Sequence, residues 1–146
     1  MPLSKINLLS ILTGIGLVIS AAPAHAAADV SSLQHAVIRG KQLFMTATFN
    51  GNGRHCNTCH KGGGMDMGEL PNGKTIPTLN NAAAIFPRYD EKRHEVKTLA
   101  DQIHQCIKNA IKGRPPAYGS AEMTELVTYV TSLSRGIPID MGGKPQ

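Results

Sequence analysis

"GRHCNTCH", Gly53 to His60, holds two cysteines three positions apart, with a histidine directly after the second. Three chemistries use a cysteine pair at this spacing, and each needs a different setting. Structural zinc needs a second pair of ligands, for which Cys106 and the scattered histidines are a poor source. A thioredoxin-like redox pair needs a strand-helix context, and no strand-like alternation of useful length surrounds this stretch. The third is covalent attachment of a haem. Two thiols at this separation meet the two vinyl groups on one porphyrin edge, and the adjacent imidazole reaches the iron from the proximal side. On this reading Cys56 and Cys59 are thioether anchors, His60 is an iron ligand, and one covalent haem c is the cofactor.

Outward from this motif the chain reads as helices joined by long loops. Leu33, Val37, Gly40 and Phe44 recur at helical spacing, and Ser31 or Ser32 can cap the start, which predicts a helix from about Ser32 to Thr46. Gly40 in its middle costs about 1 kcal/mol relative to Ala, so a close helix crossing is expected there. The two Asn-Gly pairs of "NGNGR" predict a turn before Cys56, and Lys61 to Leu79, rich in Gly and Pro, reads as loop. A short helix fits before Pro87, and the mixed charges that follow suit a solvated surface. Thr98 and Asp101 resemble a capping box with Asp in place of Glu. The helix they open carries Leu99, Ile103, Cys106, Ile107, Ala110 and Ile111 on one face; Gly113 closes it and Pro115-Pro116 blocks continuation. A last helix, from near Ser120 to near Ser134, turns Met123, Leu126, Val127, Val130 and Leu133 inward, with Tyr129 flanking that face and Gly136 and Pro138 beyond its end. The fold class is therefore all-α with long loops.

The two ends read differently from this middle. Lys5 is the sole charge before Asp29, an apolar run follows it to about Ala22, and Ala24-His25-Ala26 places small residues where a signal peptidase reads. Residues 1–26 are expected to be a cleaved signal peptide, 27–136 the haem domain, and 137–146 a flexible tail. An uncleaved anchor is the competing reading, opposed by Gly14, Gly16, Pro23 and the Ala-His-Ala exit. Cleavage implies a periplasmic protein with no membrane span afterwards. Three Phe, three Tyr and no Trp among 146 residues are few with which to build a core, as expected if a haem fills the middle. Residues 27–146 carry 14 Lys plus Arg against 10 Asp plus Glu, a surplus that haem propionates reduce by about two. With no basic stripe interleaved with aromatics, this does not suggest nucleic acid. It suits an acidic docking face on a redox partner protein, or a small anion.

"RGKQLF" before the motif, "CNTCH" itself, "IPTLNN" after it and the closing "ELVTYVTSL" together resemble the class I cytochrome c family. The resemblance implies that the first and last helices cross beside the haem, with Gly40, Phe44 and Tyr129 at the crossing. It also implies that the Pro77 carbonyl accepts the His60 Nδ1 proton, which fixes the tautomer and raises ligand basicity. One departure concerns the sixth iron ligand. The family commonly places Met in a Met-Pro-x-aromatic-Gly loop ahead of the last helix, and this chain reads Pro115-Pro116-Ala117-Tyr118-Gly119. Met123 falls on an apolar helix face where Met usually fills core, and Met65 and Met67 lie in a Gly-rich loop. His104 neighbours the apolar face without lying on it. Cys106, the odd cysteine, reads from the residues alone as a buried small hydrophobe or a used thiol, and an open site that binds a diatomic gas is a further alternative.

The run from Ala83 to Pro138, close to half of the mature chain, is narrowly similar to the haem domain of the thiosulfate dehydrogenase family and to the haem subunit of the Sox sulfur-oxidising complex. The matching positions include Phe86, Pro87, Tyr89, Ile103, Cys106, Gly113, Pro115, Ser120, Glu122, Met123 and Tyr129. This resemblance implies Cys106 as a thiolate ligand opposite His60. Gln102, Asn109 and Ala110 stand where the family carries Arg, Arg and Ser, cationic and hydrogen-bonding groups suited to a sulfur oxyanion. The sequence also holds one C-x-x-C-H, whereas the usual enzymes have a second haem domain. The expectation is electron transfer by a single haem with a link to sulfur-compound oxidation. The rival is a thiosulfate dehydrogenase-like enzyme binding a sulfur anion near Arg93, Lys108 or Arg114.

Overall fold

The computed structural model describes residues 24–146 apart from Pro71, and side chains from Ser32 onward. The expected signal peptide thus lies almost entirely outside the described residues. Helix α1 (Ala24–Thr46) begins eight residues earlier than the apolar spacing predicts. It is followed by α2 (Cys56–Cys59), a 3-10 turn (Gly62–Gly64), α3 (Ala82–Ile85), α4 (Leu99–Cys106) and α5 (Ala121–Leu133). No helix among the described residues is long and apolar enough to cross a membrane.

Helices α1 and α5 make the main crossing. A Cβ on Gly40 would sit 1.9 Å from the Glu125 carbonyl oxygen and 2.7 Å from Tyr129 Cβ, so only Gly lets the two backbones approach this closely. One turn along α1, Phe44 meets Tyr129 edge-on at 5.3 Å between ring centroids, and both rings are buried. Phe44, Tyr129, Leu126, Val130, Ile107, Ile111 and Ala82 form one core. Its aliphatic members contribute about 1.5–3 kcal/mol each for full burial.

Helix α4 opens with the expected box: the Asp101 amide donates to Thr98 Oγ1 at 3.2 Å, and the Thr98 amide donates to Asp101 Oδ2 at 2.8 Å. Past Cys106 the helix widens into a π segment, Ile107–Ile111, which buries both isoleucines. Its end differs from the expected one. Lys112, not Gly113, takes the left-handed conformation, with φ 60°. Gly113 is small for another reason: a Cβ there would lie 2.6 Å from the Phe49 carbonyl oxygen.

Two small antiparallel hairpins add strand to a chain read as all-α: β1 (Gly68–Glu69) with β2 (Thr75–Ile76), and β3 (Arg88–Asp90) with β4 (Glu95–Lys97). The fold is mostly α-helical with this small β component. The segment 137–146, expected to be flexible, has no regular structure yet is tied down by hydrogen bonds. The Asp140 and Gly142 amides donate to the Ala84 and Ile85 carbonyls at 2.8 and 3.0 Å. Asn81, itself buried, donates through Nδ2 to the Lys144 carbonyl at 2.9 Å. The reason lies in α3, whose last carbonyls have no helical partner and accept from the tail instead.

Candidate functional site

The cysteine motif is held in place from three sides. Within it, the His60 amide donates to the Cys56 carbonyl at 3.0 Å, closing a single turn. Asn57 accepts from the Gly63 amide at 2.8 Å, and the Gly63 carbonyl accepts from Tyr129 Oη at 2.7 Å, so the motif and α5 are joined through one residue. Gly68 passes so close to the Cys59 carbonyl that a Cβ would overlap it. The β1–β2 hairpin that follows returns the chain to Pro77.

A cavity of about 230 Å³ adjoins the motif. Cys56, Cys59 and His60 line it from α2 and its end, Cys106 from α4, and the remaining wall is mostly aliphatic and aromatic, including Phe44, Leu79, Phe86 and Ile103. The three cysteines stand as free thiols. Burial, and next the nearby Cys106 sulfur, push the Cys56 thiol up to about 12. Burial also raises Cys106, against the opposing effects of a hydrogen bond from Gln102 and the charge of Lys97. Both shifts favour the neutral thiol, and a cation beside either sulfur would act in the opposite direction.

His60 is held below the usual histidine range by burial, against the raising influence of the Pro77 carbonyl. Its Nδ1 is buried without a hydrogen-bond partner among the described residues. A neutral imidazole can ligate a metal through whichever ring nitrogen carries no proton.

Among the described residues, no group of three or more His, Cys, Asp and Glu side chains could hold a bare metal ion. The donor set fits a haem instead: a paired thiol anchor, a neutral buried imidazole, a further sulfur and a largely apolar wall. The other sulfur candidates lie elsewhere. Met123 is buried in the core and does not line the cavity, and Met65 and Met67 are exposed. The His104 ring stacks on Tyr118 at 5.0 Å. No Lys or Arg among the described residues lines the cavity; Arg93 pairs with Glu95 at 3.7 Å, and Lys108 and Arg114 are exposed. The polar wall residues His55 and Gln102 are not among the site residues expected from the sequence. The spacing of Gln102, one helical turn before Cys106, was the available signal.

Residues 39–139 match the family model described as "SoxA/TsdA, cytochrome c domain". Among curated proteins, the chain is similar to the thiosulfate dehydrogenase of Psychrobacter arcticus, with 26% identity over 88 residues, 60% of this chain and 25% of that protein. It is similar to the thiosulfate dehydrogenase of Allochromatium vinosum, with 25% identity over 122 residues, 80% of this chain and 44% of that protein. The solved thiosulfate dehydrogenase (TsdBA) of Marichromatium purpuratum shares the fold, with a TM-score of 0.58 at 24% identity, over 75% of this chain and 24% of that one. The chain therefore spans less than half the length of the curated relatives it matches.

Proposed function

Because the chain belongs to the SoxA/TsdA cytochrome c domain family, we propose that it is a periplasmic c-type haem protein of sulfur-compound oxidation, with one haem ligated by His60 and Cys106. The observation that carries this reading is that one apolar cavity receives Cys56, Cys59 and His60 from the motif and Cys106 from α4. Cys56 and Cys59 anchor the group as thioethers, His60 ligates through Nε2, and the Pro77 carbonyl holds the Nδ1 proton. The bound group supplies one-electron exchange at iron. The apolar walls exclude water from the ligand atoms, and a thiolate at Cys106 donates more electron density than a thioether and lowers the reduction potential. Electron paramagnetic resonance of the ferric holoprotein tests this ligation. A low-spin thiolate signature lost in Cys106→Ser is the expected result, and an unchanged spectrum refutes it.

Two roles fit that site. The relatives, being thiosulfate dehydrogenases, favour turnover of a sulfur anion over simple carriage of electrons. One feature of the chain favours carriage: no Lys or Arg among the described residues lines the cavity to hold an anion at the iron. Under carriage, the exposed Lys61 and Arg114 steer an acidic face of the redox partner toward the haem edge. Reduction of an artificial acceptor by thiosulfate, at a rate that depends on Cys106, decides for the enzyme. No turnover with several sulfur anions, together with fast reduction by a partner cytochrome at low salt, decides for the carrier.

A further inference from the structure

Behind Cys106 a line of polar groups runs to the surface of the β3–β4 hairpin. The Lys92 amide donates to Asp90 Oδ1 at 3.1 Å, and Asp90 Oδ2 is in an ion pair with Lys97 Nζ. Lys97 is buried, with a side chain only 8% exposed. Its ammonium also donates to Gln102 Oε1 at the long distance of 3.5 Å, and Gln102 Nε2 donates to Cys106 Sγ at 3.2 Å.

The chemistry of each group fixes the direction of the line. An ammonium only donates, so it faces the amide oxygen of Gln102, and the amide NH2 is left to face sulfur. Turning the amide over would set donor against donor at Lys97. Helix geometry assists, since residues four apart on α4 stand one above the other. Asp90 in turn compensates the buried charge, which without a partner would be too costly to keep. None of these groups is explained by anchoring or ligation itself.

We propose that Lys97 and Gln102 are positioning residues that hold an amide N–H against the Cys106 sulfur and so set its donor strength toward the haem iron. The inference rests on the Cys106 ligation proposed above. An N–H directed at a ligand sulfur draws electron density from it and stabilises the more electron-rich, ferrous form; removing it lowers the reduction potential.

The test uses haem-loaded protein and four variants: Gln102→Leu, Lys97→Met, the double variant and Lys97→Arg. Gln102→Leu is expected to raise the ferric-to-ferrous ratio at the wild-type midpoint about tenfold, equivalent to a downward shift of about 59 mV for one electron. The ferric resonance should stay low-spin with altered g values. Lys97→Met should shift the potential the same way, and should add less in the Gln102→Leu background than it does alone, because it acts through the amide. Lys97→Arg, still a pure donor at Oε1, should stay near wild type. An unchanged potential in Gln102→Leu, with intact helical circular dichroism, overturns the inference while leaving the ligation standing. Full additivity of the Lys97→Met shift overturns the relay and leaves Lys97 as a charge alone. A Cys106→Ser spectrum identical to wild type instead removes the ligation, and the inference with it.

Discussion

Gly40→Ala should weaken the fold at the crossing of α1 and α5. A methyl group at this position would stand 1.9 Å from the Glu125 carbonyl oxygen, 2.6 Å from its carbonyl carbon and 2.7 Å from Tyr129 Cβ. Two of the three contacts are to backbone, so no rotamer change relieves them and α5 has to move away. Overpacking of this kind costs about 1–3 kcal/mol, and the upper end applies where backbone must shift. Separation also loosens the edge-to-face pair of Phe44 and Tyr129, worth about 0.5–1.5 kcal/mol beyond its burial. Against this, Ala gains about 1 kcal/mol over Gly in a helix interior. The net expectation is a loss of about 2.5–3.5 kcal/mol. Guanidinium unfolding of the holoprotein, followed by far-ultraviolet circular dichroism and by the haem absorbance, measures it. Ala36→Gly on the same helix, expected to cost about 1 kcal/mol from propensity alone, is the control. A neutral or stabilised Gly40→Ala would refute the close crossing and the reasoning that places Tyr129 over the motif.

Three further outcomes are expected. Tyr129→Phe removes the donor to the buried Gly63 carbonyl and should cost about 1–3 kcal/mol, the penalty for leaving a buried acceptor unpaired; a change below 0.5 kcal/mol on the usual scale for inconsequential surface sites would mean water takes its place. Asn81→Ala cuts the bond from Nδ2 to the Lys144 carbonyl and should release the tail, read as faster proteolytic removal of residues beyond Asp140 with the haem spectrum preserved. Equal cleavage rates would show that the amide contacts to α3 suffice. The Asp101 carboxyl is held below the usual range first by the Thr98 hydroxyl, then by the Thr98 amide and by Tyr118. A depressed carboxyl contributes stability that is present above its unfolded value, about 3.9, and lost as pH falls through its folded value. Stability should therefore drop on acidification below about pH 4, and Asp101→Asn should flatten that part of the curve; an identical acid limb in the variant would refute the assignment.

How much of this was legible in the sequence varied with the range of the interaction that fixes each part. The helices at Leu99 and Ser120 were legible because their caps and apolar faces lie within a few residues, and the Thr98–Asp101 box forms as read. The Gly40 crossing was legible because a glycine in a strong helix implies something close by. The β3–β4 hairpin was hidden because three-residue strands give no alternation to detect and its charges read as solvated surface. The π segment after Cys106 was hidden because the apolar spacing was read with the period of an α-helix. The ordering of the tail depends on Asn81 and on α3, more than 50 positions away by sequence number, and local composition carries no trace of that. Within the site, the spacing of the motif exposed Cys56, Cys59 and His60. Gln102 was legible as a departure from the family pattern, but its contacts to Lys97 and Cys106 depend on where β4 packs and were not.

The shared cavity of His60 and Cys106 also bears on the covalent topology of the chain. Under the ligation proposed above, iron held between them would be a cross-link closing a loop of about 46 residues. By the chain-entropy relation used for disulfides, such a closure restricts the unfolded chain by about 4 kcal/mol. Under that ligation, one iron–sulfur bond would carry a restraint comparable with a sizeable share of a small domain's usual stability of about 5–15 kcal/mol. Under the proposed ligation, exchange of Cys106 for another ligand would lift that restraint from α4 and from the hairpin behind it, which Lys97 and Gln102 join to Cys106.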